Sequence, residues 1–152
     1  MNMLKYIQRL LRTLRMEVVA VLLILAAVVA LGELGVIPNG IVMPHSSGEF
    51  KLNTIAIVAT VVCVPGAIRL FTLNTTKGLR RMDNEEALQS YHVWSAVRMG
   101  ILCLTAVCDV AVYYMATSIS GALCALITLL AMLYCWPSEE KIASYLECVN
   151  KE

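Results

Sequence analysis

Two charged side chains interrupt an apolar run at RMGILCLTAVCD, where Arg98 and Asp109 stand eleven residues apart. On an α-helix that spacing turns through about 1100°, three turns plus about 20°, so both leave one face with Leu102 and Thr105 between them. Their Cα atoms would be ~16 Å apart along the axis, too far to pair, so each needs its own partner or water. Three further charges interrupt neighbouring runs: Glu17 and Glu33 in the first and Arg69 in the second. Ionisable groups inside membrane spans are costly, face a bundle interior or a wet cavity, and mark ion pathways, ion pairs or polar glue.

Depth separates their chemistry. Counted from span centres at 1.5 Å per residue, Arg98 lies ~10 Å and Arg69 ~8 Å towards the inside. Arginine can extend its head group to the inner phosphates, so both read as snorkelling anchors. The sharper reading is an ion pair with Glu17, which sits at a similar level. Asp109 is short and lies ~6 Å towards the outside, where snorkelling helps little. An ionised carboxylate there costs roughly 2.5–3.5 kcal/mol on insertion scales. Glu33, ~10 Å outward on the first span, shares that leaflet. Facing each other, Asp109 and Glu33 would form a proton or cation site. Alternatively, Asp109 is hydrogen-bonded glue between helices, with Thr105 or Ser120 within reach.

The elements that must position these groups are helices in lipid. Of 152 residues, 59% are hydrophobic and 15% charged, with a net charge of +1. A soluble domain is nearer 45–50% apolar and about 25% charged. The apolar residues fall into four runs, predicted as spans at about 16–37, 54–73, 93–115 and 119–136. The 22 apolar residues of 16–37 exceed the ~7–15 of a signal-peptide core, so a retained first span is expected over a cleaved leader. Pro65-Gly66 predicts a kink in the second run. Asp83 with Glu86 has capping-box spacing, so the third helix should begin near Asn84 and run directly into its span. Residues 1–15 place Met3, Leu4, Ile7, Leu10, Leu11 and Leu14 on one stripe beside Lys5, Arg9, Arg12 and Arg15, the pattern of a basic amphipathic helix on an anionic surface. Residues 137–152 form a tail in which Ser138 is placed to cap a short helix with Ile142, Leu146 and Val149 on one face.

Orientation follows from charge. Lys5, Arg9, Arg12, Arg15, Lys77, Arg80, Arg81, Lys141 and Lys151 lie in the two termini and the middle loop, against Lys51 alone in the other two loops. The positive-inside rule puts both termini in the cytoplasm. Tyr91, Trp94, Tyr134 and Trp136 mark the inner interface and Tyr113 and Tyr114 the outer. This places the Asn74-Thr75-Thr76 sequon in the cytosol, where it is not an acceptor.

Several classes drop out. Neither a P-loop, H-E-x-x-H nor G-x-S-x-G occurs. The six cysteines form no C-x-x-C pair and read as small hydrophobes. The net charge carries no nucleic-acid footprint, and no cofactor or metal motif is present. Small residues recur at four-residue spacing: Ala26 and Ala30, Ala59 and Cys63, Cys63 and Ala67, Ala96 and Gly100, Gly121 and Ala125. That spacing permits close helix approach.

The expected fold is an all-α integral membrane protein, a four-helix transmembrane bundle with both termini inside, an interfacial amphipathic helix at 1–15 and a cytosolic tail. It is a multi-pass protein of a plasma or inner membrane. Two functions fit. One is a non-catalytic membrane protein that associates with itself or with other membrane proteins. The other is a small proton- or cation-coupled transporter using Asp109 and Glu33, with Arg69 and Arg98 shaping its inner mouth.

Overall fold

The computed structural model describes the backbone of residues 2–78 and 84–150, and the side chains of residues 4–75, 86–144 and Glu147. Five helices follow in order: α1 (Asn2–Glu33), α2 (Ser47–Gly78), α3 (Asn84–Ala116), α4 (Ile119–Tyr134) and α5 (Glu139–Asn150). The described chain is all-helical. α1, α2 and α3 are long and apolar enough to cross a membrane, and α4 is a shorter apolar helix. With 16 residues, α4 is ~24 Å long, less than the ~30 Å of a hydrocarbon core. The assembly is compatible with a helical membrane bundle.

Local chemistry sets the helix ends. The first helix stops at Glu33, four residues short of the predicted 16–37 run. Gly35, at φ 75, turns the chain, with Val36 N donating to Leu31 O at 3.1 Å and Gly35 N to Gly32 O at 3.1 Å. This is a Schellman motif, and the required left-handed residue suits glycine. α2 starts at Ser47, seven residues before the predicted span. Ser46 Oγ accepts from Glu49 N at 3.3 Å, and Glu49 Oε2 accepts from His45 N at 2.6 Å, a capping arrangement that satisfies two orphan donors. Pro65 lies within α2 and leaves the Val61 carbonyl without its helical donor. α3 begins at Asn84 and continues unbroken to Ala116. The Asp83 half of its expected capping box lies outside the described residues. Ser138 Oγ accepts from Lys141 N at 3.4 Å, capping α5.

α1 is a single helix through residues 15 and 16, so the basic stretch and the first apolar run are joined without a break. Its N-terminal stripe is covered by protein from Leu10 onward: Leu10, Leu11 and Leu14 are buried with Leu88 and Tyr91 of α3 and Ile142 of α5. In that half Lys5, Arg9, Arg12 and Arg15 face outward, together with the exposed Leu4 and Tyr6.

α3 is the central element, packed by α2, α4 and α1, while α2 also meets α4. The core joins Val18 and Leu25 of α1, Ala67 of α2, Met99, Leu102 and Ala106 of α3, and Met132 of α4. Burial follows this order: 17% of the most apolar window of α1 and of α2 is inside the protein, against 44% for α3. Outward surfaces are apolar, including Leu23 and Ile24 of α1, Val61 and Val62 of α2, and Leu126 and Leu130 of α4. The loop before α2 caps α3, with Gly40 N donating to Tyr114 O at 3.1 Å and Val42 N to Met115 O at 3.3 Å.

Candidate functional site

The helical face carrying Arg98, Leu102, Thr105 and Asp109 is turned into the bundle. Leu102 is 0% exposed, Thr105 5% and Asp109 0%. Its two charges meet the same neighbours, α2 and α4, at two levels.

At the level nearer the α3–α4 turn, Asp109 Oδ2 accepts from Thr60 Oγ1 of α2 at 3.0 Å and from Thr128 Oγ1 of α4 at 3.2 Å. Each threonine has a second acceptor one turn back: Ala56 O at 2.9 Å for Thr60 and Cys124 O at 3.0 Å for Thr128. A hydroxyl has one proton, so two protons serve four contacts. Asp109 Oδ1 is buried without a partner among the described residues. The threonines can therefore do without Asp109, because their own helices offer carbonyls. Asp109 has no comparable alternative.

Thr60 and Thr128 are absent from the sequence-derived site, which looked to Thr105 and Ser120. Thr105 instead donates to Ile101 O at 2.9 Å within its own helix. Hairpin depth identifies Thr128: Asp109 precedes the α3–α4 turn at Ser118 by nine residues and Thr128 follows it by ten. Ser120 lies two residues past the turn, ~10 Å too shallow to reach Asp109.

At the level further from that turn, the Arg98 guanidinium carbon stands 4.1 Å from the centroid of the Phe71 ring of α2. Arg98 Nη2 donates to Cys135 O, at the C-cap of α4, over 3.4 Å. The charge is met by the negative face of a ring and by the negative end of a helix. Tyr91 packs edge-on against Phe71, with centroids 5.2 Å apart. Replacing Phe71 by leucine keeps most of the bulk but removes the ring face. It is expected to cost about 1–2 kcal/mol in denaturant unfolding of the detergent-solubilised protein. Arg69 is exposed and joins none of these contacts, so Arg69→Gln should stay within about 0.5 kcal/mol of wild type in the same measurement.

The remaining two candidates tie α1 to a different face of α3. Glu17 Oε1 lies 3.2 Å from His92 Nε2, with side chains 30% and 31% exposed, so its partner is His92 rather than Arg98 or Arg69. The pair is ionic only when the imidazole is protonated. At the C-terminal end of α1, Tyr114 Oη lies 3.1 Å from Glu33 Oε1 and 3.2 Å from Val29 O, one proton shared between two acceptors. His92 and Tyr114 are twenty-two residues apart, six turns plus about 40°, and so share a face. Glu33 is exposed on the α1–α3 seam, whereas Asp109 is enclosed by α2 and α4. The two carboxylates are not brought together.

Cys63, Cys103, Cys108, Cys124 and Cys135 are free thiols, the last two buried. Among the described residues, no three His, Cys, Asp or Glu side chains converge to hold a metal ion. Comparison with known proteins finds no matching family model, no matching curated protein and no matching solved structure.

Proposed function

We propose that this chain is a non-catalytic multi-pass membrane protein whose intramembrane charges hold its own helices together, leaving its outer faces for association with itself or with other membrane proteins. The observation that carries this reading is Asp109, which is 0% exposed and held by hydroxyls from two neighbouring helices. A coupling carboxylate needs a route for its ion, and a packed one between threonines has the surroundings of polar glue. Small residues on two helices support association. Ala26 and Ala30 are exposed, as is Gly100, where an added methyl would meet nothing within 4 Å, so a second helix could approach there.

In this reading α1 to α4 cross the bilayer and both termini lie in the cytoplasm. An even number of crossings puts both ends on one side. The packing of Leu10, Leu11 and Leu14 against Ile142 of α5 supports this, and so does the distribution of Lys and Arg. The first half of α1 then stands at the inner boundary with its basic side towards anionic headgroups.

Reconstitution into liposomes tests the reading against transport. Wild type should pass no protons or monovalent cations above protein-free vesicles when a gradient is imposed, and copurification from native membrane should recover a fixed stoichiometry of self or partner. A pH-dependent flux that Asp109→Asn abolishes in a folded protein would replace this function with the transporter.

A further inference from the structure

The inner half of α1 and the start of α5 enclose an open groove of about 720 Å³, lined by Gln8, Arg12, Arg15, Met16, Val19 and Glu139, with buried Leu11 at its floor. Gln8, Arg12, Arg15 and Val19 follow at intervals of four, three and four residues, which keeps them within about 60° on one helical face. Among the described residues, Arg12, Arg15 and Glu139 make no hydrogen bond or ion pair with the protein. Two guanidinium groups and one carboxylate therefore line a concave surface without being used by the fold.

The groove also has a direction. Its charged end is followed at once by apolar residues that stay exposed along the same side of α1: Met16 at 67%, Val19 at 46% and Leu23 at 65%. Arg12 and Met16 are four residues apart, ~6 Å along the axis, so cationic and apolar surfaces adjoin within one turn.

We propose that this groove binds one inner-leaflet phospholipid whose headgroup carries both a phosphate and a primary ammonium. Arg12 and Arg15 hold the phosphate, since guanidinium forks match its oxygens. Glu139, across the groove on α5, accepts from the ammonium. The acyl chain runs along Met16, Val19 and Leu23. The carboxylate selects the headgroup: a primary ammonium gives Glu139 a charge-assisted donor, a glycerol headgroup offers only neutral hydroxyls there, and a choline headgroup has no N–H to donate. The inference rests on the membrane reading above and specifies the lipid that reading leaves general.

Native mass spectrometry of the detergent-solubilised full chain, mixed with phosphatidylethanolamine, phosphatidylcholine or phosphatidylglycerol of matched acyl chains, tests it. Wild type should retain one phosphatidylethanolamine per chain, about tenfold in preference to phosphatidylcholine. Arg12→Gln with Arg15→Gln should remove retention of all three lipids. Glu139→Ala should abolish the preference for phosphatidylethanolamine over phosphatidylcholine while leaving phosphate-dependent retention in place. Equal retention of the two lipids by wild type, or unchanged retention in the double arginine variant, overturns the site. Alkaline carbonate extraction of the native membrane separates the two failures. A chain that stays in the pellet but shows no lipid preference loses only the groove, whereas a chain released to the supernatant loses the membrane reading and the groove with it.

Discussion

Replacing Thr60 and Thr128 together by valine should destabilise the protein by roughly 3 kcal/mol, more than deleting the Asp109 carboxylate they hold. Among the described residues, the two hydroxyls are the only partners of a side chain that is 0% exposed, and its Oδ1 is already without one. Removing both leaves a buried carboxylate with nothing to accept from, the arrangement whose full desolvation cost is felt. Asp109→Val works in the opposite sense. Thr60 and Thr128 then return their protons to Ala56 O and Cys124 O, which they already approach at 2.9 and 3.0 Å. The loss should therefore be about 1–2 kcal/mol, the range of polar contacts between membrane helices. Adding Asp109→Val to the double threonine variant should recover most of its loss, because an all-apolar trio leaves nothing unsatisfied. Denaturant unfolding in detergent reads all four proteins. A double threonine variant no weaker than Asp109→Val would mean that Asp109 finds other partners, such as water.

The second large effect belongs to Gly121. A Cβ at this position would stand 2.8 Å from Tyr113 N and 2.9 Å from Tyr113 Cα. Those are backbone atoms and cannot rotate away, so any side chain must push α4 off α3 at the outer end of the hairpin. Gly121→Ala should cost about 1–3 kcal/mol and Gly121→Val more. Thr128 lies seven residues further along α4, ~10 Å deeper, so opening the hairpin also stretches its bond to Asp109. Losses from Gly121→Val and Thr128→Val should for that reason fall short of additivity. Gly100 supplies the control. Nothing lies within 4 Å of an added Cβ there, so Gly100→Ala should be neutral or stabilising by up to about 1 kcal/mol, as for an ordinary helical glycine.

Helix identity and order could be read from the sequence because long apolar runs separated by polar, turn-rich segments leave few alternatives. Helix ends were less legible. Pro38 and Asn39-Gly40 are the most conspicuous breakers after the first run, but Gly35 takes the left-handed position first and stops the helix at Glu33. The start of α2 was hidden because Ser46 and Glu49 have capping spacing within a segment otherwise rich in loop residues. α4 ends at Tyr134 rather than at Trp136, in keeping with the bias of a residue before proline away from helical backbone.

For the site, period and depth reached part of the way. The shared face of Arg98 and Asp109 follows from eleven residues of helix, and that face lies between α2 and α4. The partners were harder to see. Phe71 and Cys135 O are not charged, and a search for counter-ions passes over a ring and a helix-end carbonyl. Thr60 and Thr128 are single hydroxyls in apolar runs, visible only once the antiparallel hairpin fixes which residues share a level. Glu17 and Glu33 belong to a second seam because α1 meets α3 on another face.

The central claim is that Asp109 is dry glue between helices. The infrared difference between wild type and Asp109→Asn, recorded in membranes on transfer to heavy water and across the ordinary range of carboxylate titration, isolates the signal of this one side chain. The account predicts that the Asp109 signal keeps one form and does not pass between carboxylate and carboxylic-acid bands as bulk pH is varied, and that any acid proton it carries does not exchange within minutes. A band that exchanges during mixing and tracks bulk pH would contradict it, placing Asp109 on a water-filled path.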